Sequence, residues 1–416
     1  METLITDPFI QICIWLSIYD LVKVSEVDQR LKTRIRQHKW DHIATISRDP
    51  KYIRDICTNY NFDKFQINRI DISGYEHYLS VAKYLDFSKL HKLNAVNDKN
   101  VKYFAKCETL NLWNCRKITD EDVKYLTNVK NLDLTFCDLI TDNSVKLLDK
   151  CYNLKLYGCM KITDEGVKYL TNVKKLDLTF CELITDSSVK LLGKCHTLKI
   201  RRCNKITYRS VKYLGNCHTL DLSYYTAITD KTLKYLGNCK ELNLMETNVT
   251  DEGVKYLGNC HTLNLCRCKL LTDKSIKYLA NCKELNLMGT NVTDEGVKYL
   301  GNCHILNLSK CKLLTDKSIK CLVNCKELDL TCCDLITDEC LKFLKNCEIL
   351  TIAGCNNITD DGVKHLEKCT TPGFYLDIGG CTKISQNMLT YLRTWGIVEC
   401  SESHLNAVIF NYFFNN

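Results

Sequence analysis

Proline is scarce in this chain, with only three prolines among 416 residues. Proline-rich tracts favour extended, unpacked linkers, and the apolar fraction of 45% is high enough for an extended core. The composition therefore argues against a long disordered tract. Long apolar runs are missing too. The stretch from Phe9 to Leu16 is short and interrupted by Gln11, so it predicts neither a signal peptide nor a membrane-spanning helix.

Sequence motifs of common catalytic sites are also absent. The chain contains no G-x-S-x-G, no phosphate-binding glycine loop and no H-E-x-x-H. The C-x-x-C spacing that is typical of zinc sites is missing as well. Histidines recur in a single phase of the repeat described below, at His196, His218, His261 and His304, and a residue copied with a repeat is a poor candidate for catalysis. We therefore expect no enzyme activity, no cofactor and no metal.

The dominant feature is a repeat of about 22 residues, L-x-L-x-x-C-x-x-I-T-D-x-x-V-K-Y-L-x-N-C. The L-x-L part alternates as a short strand does, and the V-x-x-L part has the apolar spacing of a helical turn. Threonines such as Thr141 occupy the expected helix N-cap, and aspartates such as Asp142 follow, where negative charge favours a helix start. The opening leucines are Leu110, Leu132, Leu154, Leu176, Leu198, Leu220, Leu242, Leu263, Leu285, Leu306, Leu328, Leu350 and Leu376.

A single repeat cannot bury its own apolar side, so neighbouring repeats must stack. Parallel strands lie about 4.8 Å apart whereas helices need about 10 Å, and this difference predicts a bent stack with the sheet on its concave side. Lys124 and Lys168 follow Asp120 and Asp164 at the spacing of a helical ion pair. These lysines favour a solvated outer face over a basic ridge for nucleic acid.

Cysteine is abundant, with 28 residues, and most of them follow the repeat. One set precedes the strand, where Val129 and Val173 replace it in two repeats, which indicates a small buried apolar group. A second set follows the strand. Where Thr247 or Thr290 replaces it, the repeat also loses one residue, which indicates packing inside a turn of fixed length. These features predict reduced, structural thiols in an intracellular compartment.

The repeat resembles the cysteine-containing leucine-rich repeats, the subclass that occurs in F-box proteins with leucine-rich repeats. The resemblance implies an α/β fold, a right-handed, horseshoe-shaped solenoid with a parallel concave sheet and short convex helices, preceded by a small all-α module. It implies an F-box-like helical module at residues 1–40, a linker with divergent repeats at 41–106, about thirteen repeats at 107–392 and a carboxy-terminal cap at 393–416.

The first 40 residues resemble an F-box, the module that binds the adaptor of a cullin-based ubiquitin ligase. The resemblance implies adaptor binding by Leu4, Ile12, Leu16, Asp20, Leu21 and Val27. Three positions depart from the family pattern, since Ile5 replaces a proline, Asp28 a cysteine and Leu31 an aromatic residue. The alternative is a helical cap that only covers the first repeat.

Both ends of the array carry weaker signals. Two shortened repeats are predicted before it, the first with its strand at residues 70–72 and its helix near Val81 and Leu85, the second with its strand at Leu93 and its helix near Val101 and Phe104. After it, residues 408–414 are aromatic and apolar. They favour a cap on the last repeat over a partner-binding segment, because an open solenoid end needs a cover.

Residues that alternate with the buried leucines point away from the helices and line the concave face. Their central line is polar, and its charged members Asp177, Lys199 and Asp221 would fix a partner's register. The next two positions are rich in aromatic residues and arginine, which dominate binding energy at interfaces. We predict target binding by Trp113, Phe136, Tyr157, Phe180, Arg201, Arg202, Tyr224, Met245, Glu246 and Arg267. The alternative is that Phe136 and Phe180 only pack against neighbouring repeats.

The resemblance implies a substrate-recognition subunit of a cullin-type ubiquitin ligase in the cytoplasm. Such a subunit binds a Skp-type adaptor at its amino terminus and an unknown target protein on the concave face, with no membrane partner. The alternative is a scaffold of leucine-rich repeats for protein–protein interaction without ligase association. A third class, nucleic-acid binding through the lysines, requires strong salt dependence. The sequence is also similar to F-box repeat proteins of giant amoebal viruses, which implies a host adaptor and the host cytoplasm.

Overall fold

Each repeat folds into a three-residue strand, a turn and a short helix. The computed structural model describes residues 65–66, 85–86, 101–102, 104–105, 107–368 and 374–394. The F-box-like module and residues 408–414 lie outside the described residues. The chain divides into two units, Met1–Asp177 and Leu178–Asn416.

In the first unit the strands of the repeats pair in parallel and in register, so that Leu110 pairs with Leu132 and Leu132 with Leu154. The predicted parallel sheet is confirmed. The strands are Thr109–Asn111, Asn131–Asp133, Asn153–Lys155 and Lys175–Asp177. The helices are Asp120–Val123, Asp142–Val145 and Asp164–Val167.

The second unit continues the same pattern, with each strand paired in parallel to the strand of the next repeat. Its strands are Thr197–Lys199, Thr219–Asp221, Glu241–Asn243, Thr262–Asn264, Glu284–Asn286, Ile305–Asn307, Glu327–Asp329, Ile349–Thr351 and Tyr375–Asp377. Its α-helices are Asp186–Leu192, Asp230–Leu233, Asp251–Val254, Asp273–Ile276, Asp294–Val297, Asp316–Ile319, Asp338–Leu341, Asp360–Lys364 and Gln386–Thr394. Its 3-10 helices are Val211–Tyr213, Lys277–Leu279 and His365–Lys368.

The core of each repeat is built from the apolar positions of the sequence pattern. In the repeat that opens at Leu154, the side chains of Leu154, Leu156, Ile162, Val167 and Leu170 are all completely buried. Burying one such side chain contributes about 1.5–3 kcal/mol. The short helices therefore depend on this packing, because a four-residue helix has no stability in isolation.

The segment before the first full repeat differs in part from the prediction. Val101 and Phe104 are buried in helical turns, as predicted for the second shortened repeat. Leu85, which was predicted to be helical, lies instead in the strand Leu85–Asp86, paired in parallel with Phe65–Gln66. The partner strand stabilises this conformation, and local apolar spacing does not reveal such a partner.

Helix starts follow the predicted chemistry. The hydroxyl oxygen of Thr141 accepts a hydrogen bond from the backbone N–H of Asn143 at 3.1 Å. Thr163 caps the next helix in the same way through the N–H of Glu165. The predicted threonine N-caps are therefore confirmed at these positions.

The aspartate after each threonine bonds to the neighbouring repeat. Asp142 accepts hydrogen bonds from the backbone N–H of Thr163 at 2.9 Å and from its hydroxyl at 2.6 Å. We call this arrangement the Asp–Thr ladder. Its other members are Asp120–Thr141, Asp186–Thr207, Asp230–Thr250, Asp251–Thr272, Asp273–Thr293, Asp294–Thr315, Asp316–Thr337 and Asp338–Thr359, and Ser385 replaces threonine opposite Asp360.

One repeat interrupts the ladder. Tyr208 stands where the aspartate is expected, and Thr229 in the following repeat makes no side-chain capping bond. The helix of the interrupted repeat is the 3-10 turn Val211–Tyr213. This repeat therefore lacks a stabilising carboxylate that its neighbours have.

The ion pairs on the helices differ from the prediction. The sequence predicted that Lys124 would pair with Asp120, but Lys124 pairs with Glu121 at 2.6 Å. Lys168 likewise pairs with Glu165. The prediction is wrong at Lys124 because the Asp120 carboxylate is already engaged by Thr141 of the next repeat.

Most of the described cysteines are buried, as the sequence predicted. Before the strand, Cys282 donates its thiol proton to the carbonyl oxygen of Cys260 at 3.3 Å. After the strand, Cys159 donates to the carbonyl oxygen of Leu134 at 3.2 Å. Where threonine replaces the second set, the hydroxyl of Thr247 donates to the carbonyl oxygen of Leu244 within its own turn. Thiols such as those of Cys282 and Cys159 thus occupy apolar space and satisfy a backbone acceptor of the preceding repeat.

Candidate functional site

Each repeat leaves its strand through a residue with a left-handed backbone. Counting the opening leucine as the first position, this residue is the fifth. Its φ lies between 55° and 73° throughout. The non-glycine members are Asn114, Phe136, Phe180, Arg202, Tyr224, Glu246, Arg267, Lys310 and Cys332, and the glycines are Gly158, Gly289, Gly354 and Gly380.

Large side chains at the fifth position are unusual. A left-handed conformation disfavours a residue with a Cβ by about 1–2 kcal/mol, and bulky residues adopt it rarely. The conformation is held by the neighbouring repeat, since the N–H of Phe136 donates to the carbonyl oxygen of Tyr157 and that of Tyr224 to Met245, both at 2.8 Å. Residues kept in such a conformation despite its cost cluster at functional sites.

The middle residue of L-x-L supports this turn from inside. Asn243 accepts the N–H of Met245 at 3.1 Å, and Asp221 accepts that of Ser223 at 2.9 Å. Asp221 is only 5% exposed and Lys199 only 9%, and burial raises the pKa of the Asp221 carboxyl. The prediction that these two charges set a partner's register is therefore wrong. Neighbouring parallel strands are so close that their middle residues pack side by side.

In the first unit, the predicted binding residues form one aromatic pair. The rings of Phe136 and Tyr157 meet edge to face, with their centroids 4.9 Å apart. Gly158, next to Tyr157, leaves room for the Phe136 ring, because a Cβ on Gly158 would lie 2.6 Å from two of its carbons. Trp113 is 55% exposed. Phe136 therefore packs against the neighbouring repeat, as the alternative interpretation expected, and remains half-exposed.

In the second unit, four predicted residues form a cluster of rings and guanidinium groups. The Arg202 guanidinium carbon lies 5.2 Å from the ring centroid of Phe180 and 4.4 Å from that of Tyr224. The Arg201 guanidinium carbon lies 4.8 Å from the Tyr224 centroid. Arg202 is exposed, and Phe180, Arg201 and Tyr224 are half-buried. We call these four residues the arginine–aromatic cluster.

The remaining predicted residues lie around an ion pair. Arg267 donates a hydrogen bond to the Glu246 carboxylate at 2.8 Å. This pair borders a surface groove of about 590 Å³, which Asn248, Leu270 and Gly289 also line. Met245, next to Glu246, is half-buried. Because Glu246 and Arg267 neutralise each other, this region carries less free charge than the arginine–aromatic cluster.

Histidines and acidic residues of the described part of the chain form no candidate metal site. Among residues 107–368 and 374–394, no three histidine, cysteine, aspartate or glutamate side chains converge as metal ligands. His196 and His218 stack on each other with centroids 4.6 Å apart. None of the helices in the described part of the chain has the length and apolarity needed to cross a membrane.

The comparisons with known proteins agree with this geometry. The leucine-rich repeat family matches at residues 125–148, 169–193, 240–258, 283–301 and 326–344. These are leucine-rich repeats. No curated protein matches the chain.

Three solved structures are similar to this chain. The TLR13–ssRNA13 complex is 19% identical over 78% of this chain and 53% of that chain, with a TM-score of 0.51. The mouse RP105/MD-1 complex is 16% identical over 82% and 67%, also with a TM-score of 0.51. The yeast Rad7 and Elc1 complex is 16% identical over 86% and 92%, with a TM-score of 0.47. At such identities the likeness shows the fold alone, and the yeast complex carries no functional weight at its score.

Proposed function

We propose that this leucine-rich repeat protein is the substrate-recognition subunit of a cullin-type ubiquitin ligase. In this function, the residues at the fourth and fifth positions of the repeats, where the chain leaves each strand, bind a target protein. We call them the strand-exit residues. The amino-terminal segment binds a Skp-type adaptor. The protein itself performs no chemistry. It raises the concentration of the target next to the enzyme that modifies it.

The observation that carries the target-binding half of the proposal is the arginine–aromatic cluster. Tyrosine and arginine contribute much of the binding energy at protein interfaces, because they combine large contact areas with polar groups. Arg202 and Tyr224 occupy left-handed positions where glycine would avoid the strain. Arg202 contacts the rings of both Phe180 and Tyr224, and these contacts restrict the side chains before any partner arrives, which reduces the entropy lost on binding.

The adaptor-binding half rests on the sequence resemblance of residues 1–40 to an F-box. Leu16 and Leu21 are the positions that we would test first. A Skp-type adaptor is a protein of the cytoplasm and nucleus, and we propose the cytoplasm, or the host cytoplasm for a viral protein, as the compartment. The alternative function is a leucine-rich repeat scaffold that has no adaptor.

Co-purification with a cullin adaptor tests the two halves separately. The full-length protein and the variant Phe180→Ala with Tyr224→Ala should retain the adaptor, whereas Leu16→Asp with Leu21→Asp should lose it. Target proteins should be lost from the variant Phe180→Ala with Tyr224→Ala and should be retained by Leu16→Asp with Leu21→Asp. Tyr256→Ala is the control, since Tyr256 is exposed in the turn after the helix Asp251–Val254, with Lys255 over its ring at 5.4 Å.

The two functions give different outcomes. If the wild type does not bind an adaptor that a control F-box protein binds, the ligase function is wrong and the scaffold function replaces it. If bound proteins are lost from Tyr256→Ala but not from the Phe180 and Tyr224 variant, the sheet surface is not the binding face. Circular dichroism of each variant checks that the repeats remain folded.

A further inference from the structure

One repeat differs from all the others in charge. Residues 198–219 contain no aspartate or glutamate, whereas every other full repeat from Leu110 to Tyr375 contains at least two. The basic residues of this repeat are Lys199, Arg201, Arg202, Lys205, Arg209 and Lys212. It therefore forms a positive band across a surface of otherwise mixed charge.

An internal duplication allows the basic repeat to be compared with a similar copy in the same chain. Residues 123–166 resemble residues 167–210 over their whole length. In the second copy, Arg201 and Arg202 stand where the first has Tyr157 and Gly158. Tyr208 and Arg209 stand where the first has Asp164 and Glu165. The second copy thus has three arginines that the first lacks and lacks two of its acidic residues, while the opening leucine, the cysteine and the threonine of the repeat are the same.

The loss of the acidic residue has a structural cost. Tyr208 interrupts the Asp–Thr ladder, and the helix of this repeat is a 3-10 turn. The repeat thus carries its positive charge in place of a stabilising bond. A repeat that lacks a stabilising bond and concentrates positive charge is a candidate binding site for an anionic ligand.

Arg201 and Arg202 form no direct ion pair in the described part of the chain, although the buried Asp221 carboxyl interacts electrostatically with Arg201. Arg116 lies 4.0 Å from Asp138, and Arg267 lies 2.8 Å from Glu246. In the described part of the chain, no carboxylate comes within ion-pair distance of Arg201 or Arg202. The Nε of Arg201 is buried and has no hydrogen-bond partner among the described residues. The exposed Arg202 guanidinium is therefore available to an external anion, and the half-buried Arg201 has an unsatisfied donor beside it.

Ring contacts orient these guanidinium groups. Phe180 and Tyr224 belong to the repeats before and after Arg202, so its guanidinium lies between the two rings. The N–H donors of a guanidinium lie in its plane, and stacking on its flat faces leaves them free. A guanidinium with free in-plane donors matches the paired oxygens of a carboxylate group, which it binds in a bidentate manner.

We propose that Arg201 and Arg202 bind the carboxylate side chains of an acidic segment in the target protein. Lys205, exposed in the turn that follows, extends the positive surface at the strand exit. This inference rests on the proposed function, because it specifies which kind of target the sheet surface accepts. In this proposal the arginines bind the anion, and the rings of Phe180 and Tyr224 orient the arginine side chains.

Protein fits this site better than nucleic acid does. Stable binding of a nucleic acid backbone uses many phosphate contacts along a basic track. Here the positive band is one repeat wide, and the next repeat contributes the buried Asp221 and no exposed arginine. The rings that would stack on bases already contact Arg201 and Arg202.

Fluorescence anisotropy with defined peptides tests the proposal on the full-length protein. The probes are a labelled Glu-Gly repeat peptide, the same peptide with glutamine, and one with phosphoserine. The wild type should bind the glutamate peptide and not the glutamine peptide, with an affinity that falls as salt rises. Tighter binding of the phosphoserine peptide than of the glutamate peptide would overturn the assignment to carboxylate side chains and identify phosphate as the preferred group.

The matched variant is Arg201→Tyr with Arg202→Gly, which restores the residues of the internal copy and is therefore compatible with the fold. It should weaken binding of the glutamate peptide by about tenfold or more. Arg209→Glu is the control, since it changes charge in the helical part of the same repeat and should have a smaller effect. Equal binding by wild type and the matched variant overturns the proposal.

Two further outcomes keep this inference distinct from the proposed function. If single-stranded RNA binds more tightly than the glutamate peptide and the arginine variant loses it, the acidic-segment proposal is wrong. If a target protein is captured through Phe180 and Tyr224 but the glutamate peptide is not bound, the proposal fails while the proposed function stands.

Discussion

The carboxylate of Asp316 accepts hydrogen bonds from the backbone N–H and the hydroxyl of Thr337, at 2.8 and 2.6 Å, although 21 residues separate them. We expect Asp316→Ala to lower the free energy of unfolding by about 2 kcal/mol, because two hydrogen bonds to a charged group are lost. Urea unfolding of the full-length protein measures the change. Glu339→Gln is the control, since its ion pair with Lys342 is exposed and should contribute less than about 0.5 kcal/mol. Equal destabilisation by the two variants would contradict the prediction.

The equivalent hydrogen bonds between Ser385 and Asp360, in the last described repeats, predict a pH dependence of stability. Hydrogen bonds from Ser385 lower the pKa of the Asp360 carboxyl. A lowered pKa adds stability above the unfolded pKa of about 4, and this stability is lost as pH falls through the folded pKa. Asp360→Asn should therefore be less stable than wild type at neutral pH, and the difference should shrink as pH falls below about 3. Unfolding curves at several pH values test this, and a constant difference would refute it.

Restoring the missing ladder position should stabilise the protein. Tyr208→Asp supplies an acceptor for Thr229 and places negative charge at a helix start, so we expect a gain of about 1 kcal/mol. The melting temperature should rise accordingly. Tyr235→Asp makes the same exchange at an exposed tyrosine in the turn after the helix Asp230–Leu233, outside the ladder, and should give no gain. A fall in melting temperature for Tyr208→Asp would mean that the tyrosine is itself structural.

Thiol reactivity should follow burial. Burial raises the pKa of Cys151 and of Cys159 to about 12, and the thiolate is the reactive form. Among the described cysteines, Cys115, Cys321 and Cys332 are only partly buried. Brief alkylation of the native protein followed by mass spectrometry should label these three well before Cys151 or Cys159. Uniform labelling in the absence of denaturant would contradict the buried role.

Alanine substitutions of two glycines at the fifth position should separate the cost of a steric clash from the cost of backbone strain. Gly158→Ala places a Cβ 2.6 Å from Phe136 and also strains a φ of +71°, whereas at Gly380, with a φ of +73°, the nearest atoms are 3.7 Å away. We expect Gly380→Ala to cost about 1 kcal/mol from the backbone alone. Gly158→Ala should cost a further 1 kcal/mol or more, roughly, from the clash. Urea unfolding compares them, and equal losses would show that the Phe136 ring moves aside freely.

The repeat pattern was sufficient for the strand, turn and helix of each repeat, because these depend on spacing within a repeat. It was insufficient for contacts between repeats. Asp120 has Lys124 at the right local distance, yet it bonds to Thr141, and nothing in the local sequence reveals a partner in the next repeat. The burial of Lys199 and Asp221 has the same origin, since it arises from side-by-side packing of strands.

The sequence also located the residues of the candidate site, because alternation along a strand determines which side chains leave the core. It did not reveal their left-handed backbone. A signal was available, since Gly158, Gly289, Gly354 and Asn114 share that position with bulky residues, and glycine and asparagine tolerate this conformation. The missing acidic residues at Tyr208 and Arg209 were equally visible. Only the ladder shows that an aspartate is structurally expected at Tyr208.

The shortened repeats have a consequence for the history of the chain. Residues 240–282 and 283–325 form two blocks, each with one short and one full-length repeat. The ladder joins Thr272 to Asp251 in one block and Thr315 to Asp294 in the other. In each block the last residue of the ladder is an aspartate, and the first is the threonine that such an aspartate binds. An in-frame gene duplication therefore creates a junction at which the hydrogen bonds can form without further change. The array can therefore lengthen or shorten by whole blocks without compensating mutations, and each new copy brings a strand-exit surface on which new specificity can evolve.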